Sequence, residues 1–355
     1  MNPWSISVEL TQGCNRNCEW CGVSYASKGY NFMELYLAVF IAKQLNTWFP
    51  KGKRIEFALG GEPLLHPKYL DAIAIFRKFY SNSQLQLSTN GITLLKDFEF
   101  KVIELFSHGL NILVLSMYEP EGKILKDLVY SSNLKNIEVI DFHSSKETPW
   151  YNFGNKVKKL FLMGDISIQQ GTKRNSRKLL NHAGNIVSQK FNIFPLAVPL
   201  QKKCTNVFRE LVIRYDGTVT ACCMDFSRKL VMGNAKNTLL KLIWNGVKFN
   251  AVRTLLYRER RDLLDPCMLC NYYGGFMQGI GLYDIHDDVT DEDVLIQLIT
   301  DIGSFCRTRG YKLSTSIDGK GFTKDLYKYR ISSSRGDLMY ANTIPEILHL
   351  TKDLI

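Results

Sequence analysis

Over the first 141 residues, short apolar runs of strand length alternate with stretches whose apolar residues recur at helical spacing. This alternation restricts the topology more than any other feature. Segments 5–10, 55–59, 85–88, 111–116 and 136–141 predict strands. Segments 33–49 and 68–80 predict helices, as does a third ending near His108 with Gly109 as its C-cap. Repeated strand–helix units imply a parallel sheet with right-handed crossovers, open or closed as a barrel. Beyond about residue 142 the pattern loosens. Residues 209–220 predict two short strands about a Tyr215-Asp216-Gly217 turn, and 237–257 read as mostly helical. A Gly-rich stretch, 274–281, reads as a linker. The rest predicts a small α+β unit: a helix N-capped by Thr290 and closed by Gly310, strands near 311–317, 326–332 and 338–341, and a last helix over 344–354. No internal repeat is seen.

Nine cysteines occur among 355 residues, grouped as Cys14, Cys18, Cys21, then Cys204, Cys222, Cys223, Cys267, Cys270, with Cys306 alone. Cys306 continues the apolar stripe Leu295, Leu298, Ile299, Ile302, which assigns it to a helix core and not to metal. The odd count, tight local spacing and lack of a secretory signal point to metal ligation, not disulfides. No apolar run reaches the roughly 20 residues of a membrane span, so a cytoplasmic protein without membrane contact is expected. The net charge of +11 is uneven: residues 171–214 hold nine Lys or Arg and one acid, whereas 282–300 hold six acids and no Lys or Arg. The basic segment fits an anionic small molecule, a modified nucleotide or nucleic acid, or only a solvated surface.

The chemistry concentrates in Cys14-Asn-Arg-Asn-Cys18-Glu-Trp-Cys21, directly after the first strand. Three thiolates from one loop can hold three irons of a [4Fe–4S] cluster and leave the fourth open to a ligand. A zinc loop is the alternative, though zinc is usually built from paired C-x-x-C units or with histidine.

The chain here resembles the radical S-adenosylmethionine (SAM) superfamily, whose C-x-x-x-C-x-x-C loop follows the first barrel strand. The resemblance implies that the open iron chelates SAM and that reductive cleavage yields a 5′-deoxyadenosyl radical. Gly60-Gly61-Glu62-Pro63 is similar to the family's GGEP motif, which supports the SAM amino group. Ser88-Thr89-Asn90-Gly91 is similar to the segment facing the SAM sugar and carboxylate, with Ser88 and Asn90 as candidate contacts. Ser116 ends the fourth strand, where a further SAM contact is common. All these lie at C-terminal strand ends, where parallel barrels place their chemistry.

The second cysteine set, Cys204-x₁₂-Gly217-x₄-Cys222 and Cys267-x-x-Cys270, supplies four thiolates, enough to close a complete cluster. With Gly233-Asn234 and Ile243-Trp244-Asn245 between them, it resembles the SPASM/twitch extension of radical SAM enzymes, in the shorter one-cluster form. A structural zinc is the alternative, and Cys223 reads as a neighbour of Cys222 that can exchange roles with it. Asn181-His182-Ala183-Gly184-Asn185 resembles the family's N-R-A-G-N turn, with His182 where arginine meets SAM or substrate. That histidine can serve as a base or sit in a surface turn, with Arg174 and Arg177 as replacement cations.

The expected architecture is α/β: a partial (β/α)6 TIM-like barrel over 1–200, a twitch-type iron–sulfur domain over 201–280 and the α+β unit over 281–355. The resemblance implies SAM, a SAM-binding [4Fe–4S] cluster and an auxiliary [4Fe–4S] cluster as cofactors, with flavodoxin or ferredoxin as electron donor. The first reading is oxidation or rearrangement of a small molecule or modification intermediate. The others are modification of a nucleotide or nucleic-acid base, maturation of a ribosomal peptide, and a non-catalytic electron carrier.

Overall fold

A computed structural model describes residues 2–26, 29–142, 145, 147–164, 179–272, 311–315, 329–333 and 338–341. Strand β1 (Ser5–Val8) leads into a small antiparallel pair, β2 (Thr11–Gln12) and β3 (Asn31–Phe32), which brackets helix α1 (Val23–Ala26). Helix α2 (Leu35–Trp48) follows, then β4 (Arg54–Phe57), α3 (Tyr69–Phe79), β5 (Gln84–Thr89), α4 (Phe98–Ser107), β6 (Ile112–Met117) and α5 (Glu121–Ser131). Next come β7 (Glu138–Asp141) and β8 (Lys159–Gly164), with no helix among the described residues between them. The later part adds α6 (Asn206–Arg209), β9 (Glu210–Ile213), β10 (Thr218–Thr220), β11 (Val231–Asn234), α7 (Leu240–Trp244) and α8 (Val247–Tyr257).

One sheet carries nine strands in the order β11-β10-β9-β1-β4-β5-β6-β8-β7. From β9 to β7 every pairing is parallel, while β10 runs antiparallel to both its neighbours. Two-residue periodicity splits the strands into two faces. Ile6, Val8, Ile55, Phe57, Leu85, Leu87, Leu113, Leu115, Leu160 and Leu162 pack with Leu37 and Ile41 of α2, Ile73 and Phe76 of α3, and Leu105 of α4. Each such side chain contributes roughly 1.5–3 kcal/mol. The opposite face is polar along its centre, carrying Ser5, Ser7, Arg54, Glu56, Gln86, Ser88 and Ser116.

Segment 136–141 does not continue the sheet beside β6 as the sequence predicts. Strand β8 takes that place over six paired residues, and β7 becomes the edge. The physical reason is composition. Leu160, Phe161 and Leu162 are fully buried, so β8 is apolar on both faces and suits an interior position. In β7 only Ile140 is buried and both ends are acidic, which suits a rim. Lys159 enters the sheet because Glu138 and Glu147 accept from its Nζ at 2.8 and 2.7 Å.

Three C-terminal strands, β12 (Tyr311–Thr315), β13 (Tyr329–Ser333) and β14 (Leu338–Ala341), form a separate antiparallel sheet. The expected linker at 274–281, the helix beginning at Thr290 with Cys306, the last helix at 344–354, Arg174 and Arg177 lie outside the described residues. No helix among the described residues is long and apolar enough to cross a membrane.

Candidate functional site

After β1 the chain turns through Gly13 into Cys14, and the Gly60–Pro63 loop grips that turn. The Gly13 N–H donates to Gly60 O and the Glu62 N–H donates to Gly13 O, both at 2.9 Å. A Cβ on Gly61 would stand 2.2 Å from Thr11 O and 2.5 Å from Gly13 O, so only glycine permits this backbone contact. Glu62 is buried, and its carboxylate joins two loops. Oε1 accepts from the Leu64 N–H at 3.1 Å and the Thr89 hydroxyl at 2.7 Å, and Oε2 accepts from the Asn90 N–H at 2.9 Å. Burial pushes its pKa up, against those three donors. Pro63 opens the 3₁₀ turn Pro63–Leu65.

Asn90 reaches the cysteine loop itself, donating from Nδ2 to Asn15 Oδ1 at 2.8 Å and to Cys14 Sγ at 3.5 Å. Cys14 Sγ also accepts from the Arg16 N–H at 3.4 Å. Arg16 fastens the loop to the start of α5, through Glu121 Oε2 at 2.5 Å and Glu119 O at 2.8 Å. The Cys21 N–H donates to Cys18 O at 3.1 Å, closing the loop on its other side. Burial pushes the Cys14 thiol up and takes Cys21 to about 12, with the Val23 N–H opposing the rise at Cys21.

Cys204 precedes α6, Cys222 follows β10, and Cys267 and Cys270 flank the turn Cys267–Leu269. All four line one cavity, partly open to solvent. Cys222 Sγ accepts from Asn206 Nδ2 at 3.5 Å and from the Met224 N–H at 3.4 Å, and Cys270 Sγ from the Tyr272 N–H at 3.4 Å. Burial takes Cys204 to about 12. The Cys223 thiol hydrogen-bonds to Cys222, which lowers Cys222 and raises Cys223 well above its ordinary range. Of the adjacent pair, Cys222 is therefore the more acidic thiol.

The turn holding His182 lies between the two cysteine sets. His182 Nδ1 accepts from the Gly22 N–H at 2.9 Å, one residue after Cys21. Its ring stacks on Phe226 with centroids 4.9 Å apart, and the Arg214 guanidinium lies 5.9 Å from the Phe226 centroid. A Cβ on Gly22 would come within 2.7 Å of Phe226 and 3.0 Å of His182 Nδ1. Burial lowers His182 to about 4, so it is a neutral acceptor at physiological pH. Asn181 holds the turn in reciprocal bonds with Asn271 at 2.9 and 3.1 Å. The Ala183 N–H faces the Cys270 sulfur. Behind Phe226, Arg214 pairs with the buried Glu9 at 3.2 Å and donates to Asp225 O at 2.8 Å.

Ser88 and Ser116 were expected from the sequence, whereas Ser7, Arg54, Glu56 and Glu210 on the same polar face of the sheet were not. Ser88 Oγ donates to Glu56 Oε1 at 2.9 Å, Arg54 pairs with Glu56 at 2.5 Å, and Ser7 donates to Glu210. Ser116 is half-buried on the same face. The signal was present: Arg-Ile-Glu-Phe and Gln-Leu-Gln-Leu-Ser alternate, whereas a parallel strand sandwiched between apolar layers reads as a continuous hydrophobic run.

Both cysteine sets suit iron–sulfur chemistry. Buried thiolates need compensating positive charge, and backbone and amide N–H groups already point at their sulfurs. A cubane offers one separate iron corner to each thiolate.

The radical SAM superfamily model matches residues 8–139, and the model of an SPASM iron–sulfur cluster-binding domain matches residues 204–271, so the chain carries both domains. Together they mark a radical SAM enzyme and imply SAM, a SAM-binding [4Fe–4S] cluster and auxiliary iron–sulfur ligation as its cofactors. Its sequence is similar to the S-adenosyl-L-methionine-dependent 2-deoxy-scyllo-inosamine dehydrogenase of Niallia circulans, with 25% identity over 271 residues, 75% of this chain and 92% of that protein. A tungsten-containing aldehyde ferredoxin oxidoreductase cofactor-modifying protein of Pyrococcus furiosus shares 34% over 112 residues, 32% of this chain and 30% of that one. The crystal structure of BtrN in complex with AdoMet and 2-DOIA superposes with a TM-score of 0.56 at 21% identity, covering 77% of this chain and 94% of that one. The mixed α/β fold with a parallel core is therefore shared with that structure.

Proposed function

We propose that this chain cleaves SAM reductively and dehydrogenates an alcohol carbon of a small, polar, hydroxyl-bearing molecule. When bound, SAM and its cluster supply a carbon radical that takes a hydrogen atom from the substrate. Cys14, Cys18 and Cys21 would hold that cluster, and Cys204, Cys222, Cys267 and Cys270 the auxiliary one. Gly60 and Gly61 let the backbone close on the cofactor, while Glu62 keeps that loop and the Asn90 loop in register. Ser88 and Ser116 present hydroxyls to cofactor and substrate. Glu56, with Oε1 beside Ser88 and Oε2 paired with Arg54, is a carboxylate positioned to receive the proton an alcohol loses. Neutral His182 spaces the two cysteine loops and keeps water out between them. The proposed units remain 1–200, 201–280 and 281–355, in the cytoplasm, with flavodoxin or ferredoxin as donor.

The observation carrying this reading is the contact of one turn with both cysteine sets, His182 on Gly22 and Ala183 beside Cys270. That proximity suits a reaction in which hydrogen abstraction is followed by loss of a second electron. The dehydrogenase relative, matched over nearly its whole length, supports a small-molecule alcohol as substrate. The test is anaerobic incubation of the reduced, reconstituted protein with SAM and polyols or aminocyclitols deuterated at each carbinol carbon. The reading expects 5′-deoxyadenosine carrying deuterium and a matching ketone. Failure of SAM to be cleaved at all would overturn it.

A further inference from the structure

Arg261 is 1% exposed, and among the described residues no carboxylate lies within ion-pair reach of its guanidinium. Its Nε donates to Lys202 O at 2.9 Å, Nη1 to Tyr272 O at 2.7 Å and Nη2 to Lys203 O at 3.1 Å. Three carbonyls give each guanidinium nitrogen one acceptor but supply no counter-charge, and a buried charge without one is strongly disfavoured. The other deeply buried arginines have their compensation. Arg214 pairs with Glu9. Arg253 lies 4.1 Å from the Trp244 ring centroid and 4.7 Å from that of Phe249, resting its charge on π faces. Arg261 has neither.

What Arg261 has is the cavity it lines together with Cys204, Cys222, Cys267 and Cys270. Burial pushes Cys204, Cys267 and Cys270 up, and in each the positive charge of Arg261 opposes that rise. The missing counter-charge is thus met by a site that carries net negative charge once its thiolates are ligated.

We infer that Arg261 sets the potential of the auxiliary site: its fixed charge, held beside four thiolates, favours the reduced form and makes the site an electron acceptor. The inference rests on the reading that those four cysteines hold an iron–sulfur cluster. The balance is simple. An alcohol carbon gives one hydrogen atom to the SAM-derived radical, one proton to a base and one electron to the oxidised cluster, leaving a carbonyl. Reduction adds one negative charge beside the guanidinium of Arg261. Fixed charge near a cluster is one of the protein's levers on its potential.

The test is an EPR-monitored redox titration of full-length, anaerobically reconstituted protein in a Cys18→Ala background, in which only the auxiliary site keeps its full ligand set. Arg261→Gln should lower the reduction equilibrium constant at least tenfold, about 59 mV for one electron. Arg261→Lys, which keeps the charge, should recover most of that shift. If the Gln variant loses iron while the Lys variant keeps it, the requirement for charge is likewise supported. An unmoved potential in Arg261→Gln overturns the inference alone, as does equal iron loss in both variants with intact secondary structure. A parent chain without auxiliary iron overturns the four-cysteine reading, and this inference with it.

Discussion

Gly61→Ala tests whether backbone contact between two strand-end loops fixes the SAM-cluster cysteines. The new methyl group would stand 2.2 Å from Thr11 O, 2.5 Å from Gly13 O and 2.9 Å from Gly13 N, all main-chain atoms with no rotamer to yield. Relief requires the loops to part by roughly 1 Å, which breaks the Gly13–Gly60 and Glu62–Gly13 hydrogen bonds. Two such bonds at about 1 kcal/mol each, added to an overpacking cost of about 1–3 kcal/mol, give roughly 3–5 kcal/mol. Because Cys14 follows Gly13 directly, the same shift misplaces the first ligand, and a displacement of about 1 Å in a reacting group can cost about 10²-fold in rate. The assay is iron content, EPR of the reduced protein and 5′-deoxyadenosine formation, beside anaerobic denaturant unfolding. Residues 204–270 lie outside the altered contact, so the auxiliary cluster serves as the internal control for folding. Iron should fall from about two clusters per chain toward one, with cleavage down about a hundredfold. Full iron, cleavage within twofold of the parent and an unchanged unfolding midpoint would refute the reasoning.

Cys18→Ala should abolish SAM cleavage, whereas Cys267→Ala should spare some cleavage and block the oxidised product; unimpaired turnover in either would contradict those assignments. His182→Phe removes the acceptor for the Gly22 N–H but keeps a ring against Phe226, so a clear change in the EPR line shape of the first cluster is expected, and His182→Asn, which restores an acceptor, should reverse part of it. His66 donates from Nε2 to Met33 O at 2.8 Å and accepts at Nδ1 from the Lys68 N–H at 3.0 Å, which fixes the neutral ring. Burial lowers its pKa below the ordinary 6.5, so the unfolded chain binds the proton more readily. Its stabilising share is therefore present above about pH 6.5 and lost as pH falls below it; unfolding midpoints at pH 5.5 and 7.5 should diverge in the parent and converge in His66→Gln.

Much of the first half was legible because its chemistry is local. Cys14 to Cys21, Gly60 to Pro63 and Ser88 to Gly91 are contiguous strings at strand ends, and alternation placed those ends on one rim. Strand β8 was not legible. Its Lys159 start and the irregular chain before it broke the strand–helix rhythm, and only the partnership with Glu138 and Glu147 makes that lysine acceptable inside the sheet. The role of Glu62 was half legible: its motif was visible, but its three donors come from Leu64, Thr89 and Asn90, two of them distant in sequence. The same holds for His182, whose partners Gly22 and Phe226 lie far away along the chain, and for Arg261, which looks like one more surface cation until its burial is known.

The first strand is hydrogen-bonded to β9 in the register Ile6 with Leu211, so during synthesis β1 waits some two hundred residues for one neighbour. Until then that side of β1 offers unpaired N–H and C=O groups, a template for other chains. Closing so long a loop is slow. Truncated chains ending before β9 should therefore aggregate rather than fold into half an enzyme. Metal loading that runs ahead of this closure would meet Cys14, Cys18 and Cys21 before the loops of residues 182 and 226 had arrived to wall them off.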